Sequence, residues 1–245
     1  MSLIDKFTRP NILYYPGCLT KFTLPKIHKN YQTILSKEGI DFMLLNDQEV
    51  CCGSPAKNAG DQKIFLKLAE KNLEVFTAHS IGKIITACPG CALVFRQDYP
   101  RLLGAKWKIK TFHVTEIIKP KKVKTEKKLE MSYHDSCHLG RGLSIYEAPR
   151  RLIKSSGYQI KEMLLNREKS FCCGGGGGVK SNHSELSNQI AKDRIDQARE
   201  AGAGAICTAC PMCYANLKEN SAGFQVKELS ELILEDDKID DKITN

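Results

Sequence analysis

Ten of the eleven cysteines in this chain fall into two sets of five that share one spacing pattern. Each set has a single cysteine, then an adjacent pair followed by glycine, and then a Cys-Pro-x-Cys segment. The two sets are Cys18, Cys51, Cys52, Cys88 and Cys91, and Cys137, Cys172, Cys173, Cys210 and Cys213. Equivalent cysteines are 119 to 122 residues apart. A pattern that repeats in register with itself indicates an internal duplication.

Five thiolates gathered in one place could hold metal or exchange electrons. Four are enough for a structural zinc ion or for an ordinary cubane cluster. The fifth in each set is therefore either a redox thiol or a ligand of a cluster with unusual nuclearity. Adjacent strand side chains diverge, so both members of a Cys-Cys pair can serve one cluster only by binding different iron atoms. Soft thiolate ligands select iron–sulfur clusters, zinc or copper(I), and five together favour iron–sulfur.

The glycines beside the cysteine pairs suit the same chemistry. Gly53 and the glycine run at 174–178 let the backbone approach closely, so that N–H groups can reach cluster sulfur. The run matches neither a dinucleotide fingerprint nor a P-loop, because Val179 stands where each motif requires glycine. A nucleotide site is therefore not expected.

Two histidines flank the first cysteine of the second set. His134 and His138 could donate protons during disulfide cleavage, or they could provide hydrogen bonds around a metal site or simply pack. Cys207 has Ile85 as its counterpart in the first copy, which favours a small buried core residue over a further ligand. His113 is expected to be an ordinary strand residue.

The elements that must position the cysteines alternate between strand and helix, which predicts an α/β fold of two tandem repeats. Each repeat should be a mostly parallel sheet flanked by helices. Apolar runs predict strands at 11–15, 41–45, 83–87 and 110–114, and at 129–134, 158–165, 204–209 and 224–229. Helical periodicity follows Pro25, Asp61, Glu147 and Ser184, with Asp61 and Ser184 as expected N-caps. The cysteines then lie at the carboxyl ends of strands and should converge at one edge.

Length and composition predict two domains in a reducing compartment. We expect a first cysteine-rich domain at 1–118, a lysine-rich linker at 119–128 and a second cysteine-rich domain at 129–245. The first ten residues lack the apolar core of a signal peptide, and no apolar stretch reaches the ~18 residues of a membrane span. An odd cysteine count also argues against a disulfide framework. The expected location is the cytoplasm, with membrane association only through a partner.

The net charge of +9 is concentrated near the junction of the two copies, where nine lysines lie between residues 106 and 128. A solvated linker explains such a run, and docking of an acidic partner or an anionic substrate is the alternative. Nucleic acid binding is not expected, because neither a recognition motif nor an interleaved aromatic pattern accompanies the lysines.

The two sets and their flanking residues resemble the cysteine-rich CCG domain found in the B and D subunits of heterodisulfide reductases. The resemblance rests on Tyr15-Pro-Gly-Cys18, Cys51-Cys-Gly-Ser-Pro55, Ala87-Cys-Pro-Gly-Cys91, His134-Asp-Ser-Cys-His-Leu-Gly-Arg141, Cys172-Cys-Gly-Gly-Gly176 and Thr208-Ala-Cys-Pro-Met-Cys213. The same domain occurs in iron–sulfur subunits of glycolate oxidase, anaerobic glycerol-3-phosphate dehydrogenase and lactate-utilisation systems.

The resemblance implies that the ten paired-set cysteines bind two non-cubane 4Fe–4S clusters, or that zinc occupies one repeat. Both sets are complete, which favours a cluster in each. In heterodisulfide reductases the two clusters face each other between the repeats and split a disulfide. The resulting hypothesis is electron transfer coupled to thiol–disulfide reduction of a small disulfide or thiol substrate. The alternatives are an electron relay in a lactate- or glycolate-type dehydrogenase complex and a zinc-binding scaffold without redox chemistry.

The resemblance also implies a redox partner. Many relatives carry a ferredoxin-like segment with two C-x-x-C-x-x-C-x-x-x-C-P motifs, and this sequence contains no such motif. We therefore expect electrons to pass through another subunit that holds conventional iron–sulfur clusters or flavin.

Overall fold

Two parallel sheets form the framework of the protein. The computed structural model describes residues 10–121 and 127–235. Within these ranges the strands are β1 (Asn11–Tyr15), β2 (Ile81–Thr86), β3 (Lys110–His113), β4 (Glu130–His134), β5 (Gln159–Ile160), β6 (Ala205–Thr208) and β7 (Gln225–Glu228). The first sheet has the order β1-β2-β3 and the second β5-β4-β6-β7, with every pairing parallel. The predicted fold class is confirmed.

Helices connect the strands and cover the sheets. They are α1 (Cys18–Phe22), α2 (Pro25–Lys37), α3 (Ser54–Asn58), α4 (Gln62–Ala78), α5 (Pro89–Leu93), α6 (Tyr99–Leu103), α7 (Val114–Ile117), α8 (Glu147–Ser155), α9 (Val179–Asn182), α10 (Ser184–Glu200) and α11 (Pro211–Glu219). A π-helical turn, Val94–Asp98, joins α5 to α6, and 229–235 is helical after β7. Short 3₁₀ turns occupy Asn46–Gln48, Gly104–Lys106 and Arg167–Lys169.

Capping chemistry explains only some of the helix boundaries. Asp61 caps α4, because its carboxylate accepts a hydrogen bond from the Ile64 N–H at 2.9 Å. Pro25 occupies the first turn of α2, where its missing N–H costs nothing. The expected cap at Ser184 is wrong: His183 is the N-cap of α10, and no side chain caps it. The helix α9 ends immediately before His183, which leaves Ser184 already inside the next helix.

Two predicted strands are much shorter than the sequence pattern suggests. Segment 41–45 contributes a single parallel bridge, Leu13 to Met43. Segment 158–165 pairs with β4 only through Gln159–Ile160. Each lies at a sheet edge with a neighbour on one side, so the ladder ends as soon as the chain turns towards the next Cys-Cys pair.

The duplication is visible in the topology. With the Met43 bridge in the place of β5, both sheets have the same order, in which the second extended segment lies outside the first. The point where the chain changes direction across the sheet is therefore between β1 and β2, and between β4 and β6. Crevices at such points are the usual ligand sites of parallel α/β sheets. Cys18 and Cys88 follow β1 and β2, and Cys137 and Cys210 follow β4 and β6.

The two repeats share one hydrophobic core. Apolar residues of the first repeat, such as Tyr14 and Val114, belong to the same buried cluster as Tyr133 and Leu229 of the second. A second cluster, rich in aromatic rings, fills the other face of the first sheet, where Trp107 stacks on Phe95 at 5.9 Å. The predicted domain boundaries stay a prediction, and residues 122–126 of the expected linker lie outside the described residues.

Among the described residues, every helix is too short or too polar to cross a membrane.

Candidate metal centres

The five cysteines of the first set meet at one edge of the first sheet. Cys18 begins α1, the pair Cys51 and Cys52 precedes α3, and Cys88 is the N-cap of α5, which contains Cys91. The thiols of Cys91 and Cys52 are 3.3 Å apart. Cys18 contacts Cys51, Cys51 contacts Cys52, and Cys88 contacts Cys91 through their side chains. All five sulfurs therefore form one continuous network.

The second set repeats this arrangement. Cys172 and Cys213 both contact Cys173 through their thiols, and Cys213 also contacts Cys210. Cys137 lies close enough to Cys210 and Cys173 for their charges to raise the pKa of its thiol, after the larger effect of burial. The structure thus brings together the sulfurs of every predicted cysteine in each set, and it leaves Cys207 outside both.

Cys207 is fully buried on β6, with its thiol 4.0 Å from the Thr208 carbonyl. The prediction of a core residue is confirmed.

The hydrogen bonds between the thiols run in the same direction in both sites. Hydrogen bonds from Cys51 and Cys91 lower the pKa of Cys52, and hydrogen bonds from Cys172 and Cys213 lower the pKa of Cys173. The pKa values of the donating thiols are shifted the other way. Contact with Cys52 raises the pKa of Cys91, and contact with Cys173 raises the pKa of Cys213. The second cysteine of each pair is therefore a sulfur that accepts hydrogen bonds from the neighbouring thiols. In the first site the hydrogen bond from Cys91 also lowers the pKa of Cys88. Metal binding would displace the remaining thiol protons, because thiolates are the ligating form.

Backbone N–H groups point at the sulfurs of the Cys-Cys pairs. The Gly53 N–H donates to Cys51 at 3.4 Å, the Gly174 N–H donates to Cys172 at 3.3 Å, and the Gly175 N–H donates to Cys173 at 3.4 Å. Gly174 has a φ of 78°, and a Cβ there would lie 2.6 Å from the Ser187 carbonyl oxygen. Glycine is thus required where the chain turns tightly around the second pair.

His138 lies at the junction of the two repeats. A Cβ added to Gly90 would be 3.3 Å from His138 Nδ1 and 3.7 Å from the Cys88 sulfur, so this histidine of the second repeat rests on the Cys-Pro-Gly-Cys loop of the first. Burial lowers the pKa of His138, the Lys57 charge lowers it further, and the Cys173 charge opposes both. The two cysteine sites therefore lie on either side of one interface, with His138 between them.

His134, the last residue of β4, is buried against the second site. The Arg194 Nε–H donates to its Nδ1 at 3.1 Å. Its Nε2 makes no hydrogen bond of normal geometry with the residues the structure describes. A ring nitrogen of His134 and the sulfurs of Cys173 and Cys213 all lie within 4.8 Å of one another. Burial lowers the pKa of His134.

One residue that lies beside both sites, His113, is not marked as functional by any pattern in the sequence. His113 ends β3 fully buried, with Nε2 3.2 Å from the Ala87 carbonyl, and it also contacts the Ala209 backbone of the other repeat. Ala87 and Ala209 directly precede Cys88 and Cys210, so one histidine ties together the two strand ends. Burial lowers the pKa of His113 to about 3.

A buried ion pair holds the loop between His134 and Cys137. Both oxygens of Asp135 accept hydrogen bonds from the Arg150 guanidinium, at 2.7 and 2.8 Å. Arg141, in the same region, donates to the Ser170 carbonyl at 2.7 Å rather than to an acid. These contacts position the second site without touching its sulfurs.

The donor set fits a thiolate-held metal cluster. Each site offers five converging sulfurs, N–H groups directed at sulfur and, in the second site, a buried nitrogen that no other described group satisfies. Soft thiolate donors of this kind suit iron–sulfur clusters or zinc. Two such sites at the strand ends of a duplicated parallel fold define a cysteine-rich α/β protein built for thiophilic metal.

The chain belongs to the CCG cysteine-rich domain family, whose sequence profile matches residues 12–96 and 131–218. The chain is 35% identical over 221 residues to the D subunit of dihydromethanophenazine:CoB–CoM heterodisulfide reductase from Methanosarcina acetivorans, covering 86% of this chain and 54% of the relative. It is 31% identical over 231 residues to EtfAB:quinone oxidoreductase of Syntrophomonas wolfei, covering 88% and 32%.

It is also 30% identical over 211 residues to the B subunit of fumarate reductase (CoM/CoB) from Methanothermobacter marburgensis, covering 84% and 41%. The chain spans a little over half the length of the heterodisulfide reductase relatives. Among solved structures, a glutamate racemase from Bacillus anthracis aligns over 95% of this chain and 81% of its own, with a TM-score of 0.43 and 12% identity.

Proposed function

We propose that this protein is an iron–sulfur oxidoreductase subunit that couples electron transfer to the reduction of a disulfide. The observation that carries the proposal is the pair of complete five-thiol sites on either side of one repeat interface, with His138 of the second repeat resting on the Cys-Pro-Gly-Cys loop of the first. Two sites so arranged can present two metal centres to one substrate. The relatives named as heterodisulfide reductase subunits support this choice.

The ten cysteines would hold the clusters, one in each repeat, with non-cubane 4Fe–4S geometry as the expectation from the family resemblance. When bound, such clusters supply single electrons and iron that accepts thiolate ligands. The protein's own part is to fix the sulfurs at strand ends and to direct the Gly53, Gly174 and Gly175 N–H groups at them. Fixed N–H donors tune the potential of whatever the sulfurs ligate.

The two histidines are placed differently with respect to a substrate. His138 lies at the junction between the sites, where a bound disulfide would meet it. His134 is buried, and Arg194 occupies its Nδ1. Of the two predicted proton donors, His138 is the one whose position allows contact with substrate, and this role stays a prediction.

An electron relay without disulfide cleavage is the second candidate. It is favoured by relatives named for quinone and fumarate reduction, which match this chain nearly as well as the heterodisulfide reductases do. In both versions we propose a partner subunit that carries conventional iron–sulfur clusters or flavin. The same ten cysteines would hold the clusters in both candidate functions.

Anaerobic purification followed by metal analysis tests the shared part of the proposal. We expect about eight iron atoms and about eight acid-labile sulfides per chain for two 4Fe–4S clusters. Cys51→Ser should remove about half of the iron by destroying the first site, whereas Cys207→Ala, which changes a cysteine outside both sets, should leave iron content unchanged. Stoichiometric zinc with no iron would refute the cluster proposal and favour the scaffold.

Turnover separates the two redox candidates. Reduced viologen dye as electron donor and a mixed disulfide of two small thiols as acceptor should yield two free thiols per two electrons. A protein that exchanges electrons with dyes but releases no thiol is a relay. The Cys207→Ala protein serves as the matched control for each measurement.

A further inference from the structure

The two cysteine sites differ at equivalent positions, although their cysteines match. The last residue of β1 is Tyr15 and that of β4 is His134, 119 residues later, which is the offset between Cys18 and Cys137. The helices behind them carry Asn72 on α4 and Arg194 on α10, 122 residues apart. At both equivalent positions the first repeat has a neutral residue, and the second repeat has a more polar or charged one.

Arg194 decides which nitrogen of His134 carries the proton. A guanidinium has only donors, so the hydrogen bond from its Nε–H to Nδ1 at 3.1 Å requires a lone pair on Nδ1. The ring proton must then be on Nε2. That nitrogen is buried and has no partner of normal geometry among the described residues. A ring nitrogen of His134 lies within 4.8 Å of the Cys173 and Cys213 sulfurs, and the His134 side chain contacts the Cys173 thiol. Because Arg194 occupies Nδ1, Nε2 is the nitrogen left for that contact. It is therefore an N–H donor facing sulfur.

Arg194 is itself held firmly. Its other nitrogens donate to the Leu165 carbonyl at 2.9 Å, the Gln197 side-chain oxygen at 2.6 Å and the Ser170 hydroxyl at 3.1 Å. The guanidinium is fully buried. In the other tautomer, whose Nε2 has a lone pair to offer a metal, the proton is on Nδ1, and this positive charge would face an N–H instead of a lone pair.

The first site has no comparable donor at these positions. The Tyr15 hydroxyl donates to the Val50 carbonyl at 2.7 Å. The Asn72 amide donates to the Cys51 carbonyl at 3.0 Å and to the Tyr99 hydroxyl at 2.9 Å. Both side chains donate their hydrogen bonds to oxygen atoms, and neither side chain carries a charge.

We propose that His134 is a positioning residue that donates Nε2–H to the Cys173 sulfur, not a metal ligand, and that with Arg194 it makes the second centre easier to reduce than the first. The inference rests on the proposed function, because it concerns the clusters assigned there. Hydrogen bonds to ligating sulfur and nearby positive charge stabilise the reduced form of a cluster, which carries the extra electron. The His134, Cys173 and Cys213 group resembles a mixed nitrogen–sulfur zinc set, but Arg194 leaves its imidazole without a free lone pair facing the sulfurs.

Potentiometric titration of the anaerobic holoprotein, followed by electron paramagnetic resonance, tests the order of the two centres. Cys51→Ser and Cys172→Ser assign the signals by removing one site each. We expect the second centre to have the higher potential. His134→Leu should lower that potential and leave the first unchanged, and His134→Gln, which keeps an amide N–H, should lower it less. Tyr15→Phe is the matched control and should move neither potential. Equal effects of His134→Leu on both centres, or none on either, overturn the proposal.

The proton position has its own measurement. In protein labelled with ¹⁵N at histidine, the signal absent from the His134→Gln spectrum should show a protonated Nε2 and an unprotonated Nδ1. A nitrogen bonded directly to metal, detected as a strong ¹⁴N hyperfine coupling in the cluster or as a metal-shifted Nε2 in a zinc protein, overturns the donor role. A chain holding only zinc refutes the proposed function and the order of potentials, and the ¹⁵N spectrum then still decides whether His134 is a ligand.

Discussion

The hydroxyl of Tyr31 in α2 donates a hydrogen bond of 2.6 Å to the carboxylate of Glu228 at the end of β7. Both side chains are fully buried, and they belong to different repeats. The other carboxylate oxygen accepts hydrogen bonds from the Ser230 N–H at 2.8 Å and from the Ser230 hydroxyl. A buried carboxylate satisfied on one side by its own repeat and on the other by its neighbour joins the two repeats chemically as well as through the shared core.

Replacing Tyr31 with phenylalanine should destabilise the protein without opening a cavity. The ring remains, and only the hydroxyl that reaches Glu228 is lost. A hydrogen bond to a charged group contributes about 1.5–3 kcal/mol, so at pH 8, where Glu228 is ionised, the free energy of unfolding should fall by about 2 kcal/mol. Urea unfolding followed by circular dichroism measures this change. A loss below ~0.5 kcal/mol, the usual effect of a surface substitution, would contradict a role for this contact between repeats.

Glu228 makes a contribution to stability that falls as the pH rises through the acidic range, opposite in sign to that of His113, His134 and His138, whose pKa values burial lowers. Burial raises the pKa of Glu228 to about 7, against hydrogen bonds from Ser230 and Tyr31 that lower it. Between the unfolded pKa of about 4.3 and the folded value, Glu228 binds more protons in the folded protein than in the unfolded one, so its contribution to stability decreases with rising pH and levels off above about 7. The loss from this group is on the order of 3 kcal/mol.

Glu228→Gln cannot ionise, so between pH 5 and pH 8 the variant should lose less stability, or gain more, than the parent protein. The measurement compares free energies of unfolding at pH 5 and pH 8 for both proteins. Glu49, whose pKa burial also raises to about 7, contributes with the same sign as Glu228, and the buried histidines contribute with the opposite sign; both contributions remain in the variant. An unchanged slope would mean that Glu228 does not carry the pH dependence.

The convergence of the cysteines could be foreseen because it depends on local pattern and topology alone. Apolar runs ending at Cys18, Cys88, Cys137 and Cys210 indicate parallel strands, and the ends of parallel strands meet at one edge. The length of the outer strands could not be foreseen, since an apolar run such as 41–45 does not reveal whether it has one neighbour or two.

The side chains that organise the sites were equally hidden. Arg194 reaches His134 across 60 residues, and His113 reaches the Ala209 backbone across the repeat junction. Neither contact follows from helical or strand periodicity. The shared core could not be predicted from the sequence either. The apolar face of α2 could have packed on its own sheet alone, and only the structure shows it buried with residues of the second repeat.

Removing the guanidinium of Arg150 should destabilise the second repeat strongly. Arg150→Leu would leave the Asp135 carboxylate, which is 1% exposed, with the Arg167 N–H at 2.8 Å as its one hydrogen-bond donor among the described residues. Breaking a buried pair from one side costs about 3–5 kcal/mol. Urea unfolding should show this loss, together with reduced metal content, because Asp135 lies between His134 and Cys137.

The control for Arg150→Leu is a variant that breaks a solvent-exposed ion pair. Lys71→Ala removes the partner of Glu74 within α4, where both side chains are largely exposed. Such pairs contribute about 0.3–0.5 kcal/mol, so stability should hardly change. If both variants lose the same amount, the Asp135–Arg150 pair does not hold the loop of the second site.

Two neighbouring glycines should respond very differently to the same substitution. Gly174→Ala places a Cβ 2.6 Å from the Ser187 carbonyl oxygen at a φ of 78°, so the turn that directs N–H groups at Cys172 and Cys173 must distort. Gly176→Ala adds the same methyl group where no heavy atom lies within 4 Å and φ is not positive. The left-handed conformation alone costs about 1–2 kcal/mol, and the backbone clash adds to it. We expect Gly174→Ala to unfold at lower urea and to lose metal from the second site, with Gly176→Ala close to the parent protein in both respects. Equal metal content in the two variants would show that the turn at Gly174 does not shape the second site.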